Sequence, residues 1–206
     1  MLDYFALSQE PRRPWISLDL LKAKFLAVSA ELHPDRVHSA TEQEKLAANE
    51  RYADINSAYN CLREPRDRLL HLLEIELGTK PKDTERLPEL AADLFFHIGQ
   101  TCREVDLFVN GRSRAASPML QVQAFQRALE WIDELNALKQ SIKSHYEHTL
   151  DELKVMNAAW EAAPQVGSAE RRAALPLERL EQVYRTLSYL SRWNEKIQAR
   201  IVQLSI

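Results

Sequence analysis

"AELHPDRVHSA", residues 30–40, sets His33, Pro34 and Asp35 in a row between two segments patterned as helices. Upstream, Leu18, Leu21, Phe25, Val28 and Leu32 are spaced as one helical stripe, with Ser17 placed to cap it. Pro34 disfavours the α conformation at His33, so this helix is expected to end at about Leu32. Downstream, Thr41-Glu42-Gln43-Glu44 has the form of a capping box. The helix it opens carries Tyr52, Ile55, Ala58, Tyr59 and Leu62 on one side and is closed by Pro65. Two stripes of similar length joined by a short loop predict an antiparallel hairpin, with the tripeptide at its tip and outside the apolar seam. Residues 3–8 predict a short flanking helix, and Arg66 to Leu77 a fourth one stopped by Gly78.

Composition narrows what such a chain does. Its 206 residues are enough for one sizeable domain or two small ones. Four glycines are too few for a turn-rich β fold or a phosphate-cradling loop. A net charge of -3 leaves no electrostatic footprint for nucleic acid or an anionic membrane. Neither Cys61 nor Cys102 has a second ligand at zinc-knuckle spacing, which fits a reducing compartment. The N-terminus lacks the basic-then-apolar layout of a signal peptide, and no apolar run approaches a membrane span, so a cytoplasmic protein is expected.

The tripeptide admits several chemistries. His33, Asp35 and His38 are three potential zinc ligands, but Pro34 restricts their backbone and no further ligand lies nearby. A general acid–base pair of His33 and Asp35 needs a pocket, which a hairpin tip does not supply. An ordinary solvent loop is the plainest alternative. A recognition loop uses the same residues differently. Proline stiffness lowers the entropy lost on docking while His33 and Asp35 offer hydrogen bonds and charge.

Past residue 77 the pattern changes. "GTKPKDTERL", residues 78–87, has the glycine, proline and charge of a linker. A helix is expected from about Pro88, with Leu90, Leu94, Ile98, Cys102 and Val105 on its stripe and Asn110-Gly111 as its stop. Residues 112–118 predict a loop. A very long helix follows, with Leu120, Phe125, Leu129, Ile132, Leu135, Ile142, Tyr146, Leu150 and Leu153 on or near one face. "AAPQVGSAERRAALP" interrupts it around a short helix, and a last helix from Leu177 to Leu204 closes the chain. His145 and His148 share a helix face without partners that would complete a di-metal site. Trp131, Trp160 and Trp193 are expected as core or groove anchors, and Cys102 as a small buried hydrophobe. The expectation is an all-α chain: an N-terminal helical hairpin with flanking helices over 1–77, a linker over 78–87 and a three-helix bundle over 88–206.

The His-Pro-Asp loop between antiparallel helices, followed by Ile55-Asn56-Ser57-Ala58-Tyr59 and Leu62-Arg63-Glu64-Pro65, resembles the J-domain of DnaJ-like co-chaperones. Lys24-Phe25, Pro65-Arg66-Asp67-Arg68-Leu69-Leu70-His71-Leu72-Leu73 and Val183-Tyr184-Arg185-Thr186-Leu187-Ser188-Tyr189-Leu190 are similar to stretches of the HscB-type iron–sulfur cluster co-chaperones. That resemblance implies a non-enzymatic protein with no cofactor of its own. It would stimulate the ATPase of a seventy-kilodalton heat-shock chaperone (HscA- or DnaK-like) and deliver to it an IscU-like iron–sulfur scaffold protein. His33, Pro34 and Asp35, with Lys22, Lys24 and Arg36, would meet the chaperone. Leu94, Phe95, Ile98 and Tyr189 would meet the client. Two departures stand out. The helix before the loop carries only two lysines, followed by Leu26, Ala27, Ala30 and Glu31, and the client helix lacks the family's acidic residues. A general J-domain protein with a different client, or a helical adapter with a weakened J-like loop, are the alternative readings.

Overall fold

A computed structural model describes residues 2–32, 41–81, 92–112 and 117–205. Among them every regular element is a helix: α1 (Tyr4–Leu7), α2 (Leu18–Leu32), α3 (Glu42–Arg63), α4 (Pro65–Leu77), α5 (Ala92–Arg112), α6 (Pro118–Glu161), α7 (Arg171–Ala174) and α8 (Leu177–Leu204). The chain divides into two compact units. One comprises residues 1–83 and 150–184, the other 84–149 and 185–206, so α6 and α8 supply residues to both.

In the first unit, α3 packs against α1, α2 and α4. Its start is fixed by the capping box foreseen at Thr41. The Thr41 hydroxyl accepts the Glu44 amide, and the Glu44 carboxylate accepts the Thr41 amide at 2.9 Å. The Thr41 amide first, and then the Thr41 hydroxyl, which donates to the same carboxylate at 2.8 Å, hold the Glu44 carboxyl below its ordinary pKa. Phe25 of α2 stacks on Tyr59 of α3 with ring centroids 4.2 Å apart. Leu21, Ile55, Ala58, Leu62, Leu69, Leu72 and Leu73 fill the core with Phe5 and Ile16. Leu18, expected on the α2 stripe, is 53% exposed: it stands in the first turn, a full turn before the buried Leu21.

Buried polar groups tie the non-helical segments to these helices. The Arg68 side chain, almost wholly buried, donates to the carbonyl of Pro14 at 2.8 Å and to that of Leu62 at 2.7 Å. The second bond satisfies a carbonyl that the end of α3 leaves without a helical partner. Asn157, late in α6, exchanges two hydrogen bonds with the Trp15 backbone, at 2.9 and 3.0 Å. Arg171 grips both carboxylate oxygens of Glu76 and also donates to the Pro164 carbonyl. These bonds explain why residues 150–184 belong with 1–83.

The second unit is a three-helix bundle. Ile98, Cys102 and Val105 of α5 pack with Ala128, Trp131, Leu135, Leu138 and Ile142 of α6 and Leu190, Trp193, Ile197 and Leu204 of α8. Arg200 donates to the Asp106 carboxylate at 2.6 Å and to the Cys102 carbonyl at 3.3 Å, clamping α8 to α5. α5 runs through Asn110-Gly111 and ends at Arg112, later than the expected stop. The α6 seam also differs from the expected one at its start. Leu120, Phe125 and Leu129 are exposed, whereas Ala128 and Trp131 turn inward. Leu129 sits about 100° around the helix from Ala128, so a bundle that buries one cannot bury the other equally.

Candidate functional site

The loop that singled out this sequence, with His33, Pro34, Asp35 and Arg36 and the alternative ligand His38, lies outside the described residues. The described part of that region is the helix that feeds it. On α2, Lys22 is exposed. Lys24 is not free. Its ammonium donates to Glu10 at 2.6 Å and to the Gln9 carbonyl at 2.8 Å. The Glu10 side chain is only 2% exposed and also meets Arg13 at 3.3 Å. A carboxylate taken that far out of water needs its cations, so Lys24 holds the segment after α1 in place. Gln9 adopts a left-handed backbone, φ 54, which is uncommon for a residue other than glycine.

The expected client-binding residues gather on the second unit. Phe95 and Tyr189 each lie beside Trp193, with centroids 5.9 and 5.7 Å from its ring, and Phe96 stands edge-on to Phe95 at 5.6 Å. Trp193 itself is buried. Phe95 is 41% and Phe96 70% exposed, so three successive large apolar residues of α5 are not all absorbed by the core. Leu94 is half-buried against the bundle core and Ile98 is fully in it. Two of the four expected residues, Phe95 and Tyr189, are therefore brought together at a partly open aromatic cluster around Trp193, while Ile98 lies in the bundle core.

Charge around this cluster is cationic where it touches the rings. The Arg192 guanidinium lies 4.7 Å over the Tyr189 ring. Glu104 accepts from Gln100, and Asp106 is held by Arg200. Arg192 and the central place of Trp193 were not singled out by the sequence. The spacing of Tyr189 and Trp193, one turn apart on α8, was the available signal.

No three His, Cys, Asp or Glu side chains among the described residues are grouped to hold a metal ion. Burial pushes the Cys61 thiol up to about 11, with Asp67 adding to the effect, and raises that of Cys102 as well. Neither thiol has the depressed pKa of a reactive nucleophile. No described helix is long and apolar enough to cross a membrane.

These features define an all-α fold in which a looped helical hairpin is followed by a three-helix bundle. No family model matches the sequence. The structure, however, aligns along nearly its whole length with HscB co-chaperones. Against chaperone HscB from Vibrio cholerae the TM-score is 0.61 at 20% identity, covering 98% of this chain and 99% of that one. Against human co-chaperone protein HscB it is 0.59 at 18% identity, covering 97% and 82%. The chain has an HscB-like fold.

Proposed function

We propose that this protein is a co-chaperone of iron–sulfur cluster assembly, working in the cytoplasm. It would stimulate a specialised seventy-kilodalton heat-shock ATPase and present an iron–sulfur scaffold protein to it. The observation that carries the reading is an HscB-like fold over 98% of the chain, together with a His-Pro-Asp tripeptide set between α2 and α3. In this reading residues 1–77 engage the chaperone, 78–87 link, and 88–206 carry the client surface. The chain performs no chemistry of its own, and any cluster travels on the client.

Physical economy supports the division of labour. Holding client and ATPase contact on one chain turns the meeting of client and chaperone into a tethered event, with an effective concentration set by the connecting protein. A proline between His33 and Asp35 suits a short-lived contact that must be specific without being tight. Single-turnover ATP hydrolysis by the cognate chaperone tests the reading. His33→Gln and Asp35→Asn should each abolish stimulation while leaving the helical circular dichroism unchanged. Unaltered stimulation by both variants would exclude the mechanism. A chain that binds the scaffold yet never stimulates the ATPase would instead be a helical adapter.

A further inference from the structure

We infer that the aromatic cluster of α5 and α8 takes an acidic partner, an apolar side chain of the client flanked by carboxylates that meet Arg103, Arg192 and Lys196. The inference rests on the co-chaperone reading and deepens it by naming the chemistry of the client's surface. All three cations are exposed and belong to the same unit as the rings. The Arg192 guanidinium lies 4.7 Å over the Tyr189 ring, and its Nε donates to the Ser188 carbonyl at 3.3 Å. Arg103 reaches back along α5, so that its Nη1 comes within 3.8 Å of the place a Cβ on Gly99 would take. Gly99 stands one helical turn past Phe95 and Phe96, and its missing side chain leaves the way from that guanidinium to the rings open. Lys196 is one turn beyond Arg192 on α8, close enough to the Cys102 thiol of α5 to act on it electrostatically.

Pairing sets these three apart from the other cations of the bundle. Arg200 is taken up by Asp106 and the Cys102 carbonyl, and Arg127 by Glu130. Among the described residues, Arg103, Arg192 and Lys196 have no carboxylate partner. Nearby carboxylates are engaged within the chain: Glu104 accepts from Gln100, Asp106 from Arg200 and Glu195 from Ser191. Phe95 and Phe96 offer the binding area, and the cations around them decide which apolar patch is accepted. A partner with basic residues around its apolar side chain would set like charges against each other, whereas carboxylates there find ready counter-ions. Three cations on a chain of net charge -3 make too few phosphate contacts for a nucleic acid, so the fitting source of negative charge is a protein.

The experiment is calorimetry of the full-length protein with the metal-free iron–sulfur scaffold protein of the same cell, at low and at near-physiological salt. Arg103→Glu and Lys196→Glu each reverse an exposed charge without touching a ring. Each should weaken binding about fivefold at low salt, and the gap should narrow as salt rises. Arg103→Gln and Lys196→Gln should lose less, in the same order. Lys143→Glu makes the same charge change at an exposed site on α6 and should alter affinity less than about twofold. Circular dichroism checks the fold of every variant. Undiminished or tighter binding by both reversals overturns the acidic partner, and so does a loss as large in Lys143→Glu. Capture of a single-stranded oligonucleotide in place of the scaffold would assign the cations to a polyanion and overturn it too. A protein that stimulates the ATPase but binds no scaffold removes the client reading, and this inference with it.

Discussion

At the scale of single residues, His71 and Arg68 show how polar groups hold a helical core together. The Nε2 atom of His71 accepts the Tyr4 amide at 3.1 Å, and its ring stacks on Tyr4 at 4.5 Å. Phe5 stacks on the same ring, and burial, opposed by Asp3 and Glu74 and reinforced by Arg12, pushes the imidazole pKa below 6.5. Only the neutral ring can accept that amide. The folded state thus binds this proton less readily than the unfolded chain. Its contribution is complete above the unfolded value of 6.5 and is lost progressively as pH falls below it. The stability advantage of the unmodified protein over His71→Gln should therefore shrink between pH 8 and pH 5 in urea titrations. An advantage that stays constant with pH would refute the assignment. Arg68 makes a different demand. Arg68→Met would leave the Pro14 and Leu62 carbonyls unpaired in the core and should cost about 3 kcal/mol, read from the shift in urea midpoint at constant slope. The sequence pattern showed Arg68 only as part of a resemblance. Nothing in its neighbours announced that a carbonyl 54 residues away would need it.

Helices were the most legible feature, because several of them state their own boundaries. Thr41 with Glu44, Pro65 and Gly78 mark starts and stops by local hydrogen bonding and backbone geometry, and the structure has α3 beginning at Glu42, α4 at Pro65 and Gly78 left-handed at φ 73. The last helix runs from Leu177 to Leu204 as the pattern predicts. Which face of a helix is buried was less legible. At the start of α6 apolar residues point in more than one direction, and only the neighbours α5 and α8 decide that Ala128 and Trp131 are core. The aromatic cluster on α5 and α8 raises the same question of facing, and a partner's contribution can be tested there. Phe95→Ala combined with Tyr189→Ala should weaken scaffold binding by at least about 2 kcal/mol, as loss of two aromatic anchors does. Calorimetry showing full affinity with an intact fold would move the client surface elsewhere. The Lys24–Glu10 pair, in contrast, was invisible in sequence: fourteen residues separate the two, and the lysine was read as a chaperone contact.

Across the whole molecule, the compact units do not follow the order of the chain. Leu153, Met156, Trp160, Leu175, Leu177, Leu180 and Val183 are buried within the unit that contains residues 1–83. Sequence reading divides a chain at glycine- and proline-rich points such as 78–87. It has no local signal for a segment that returns after 66 intervening residues to complete an earlier unit. A fragment of residues 1–83 should accordingly melt well below the full chain, having lost the Asn157 and Arg171 bonds and the apolar side chains around them. Amide exchange at Trp15 and Phe5 would report the loss. A fragment as protected as the intact protein would show that residues 150–184 add little to that unit.

The same discontinuity sets a schedule for biosynthesis. A ribosome adding about 5–20 residues per second delivers residues 1–83 roughly 3–13 s before residue 150 is made, and longer before Val183. During that interval the first unit lacks the buried side chains of Leu153, Met156 and Trp160. Until residues 150–184 emerge, the first unit lacks the segment that completes it, and its closing is tied to a stretch made well after residue 83.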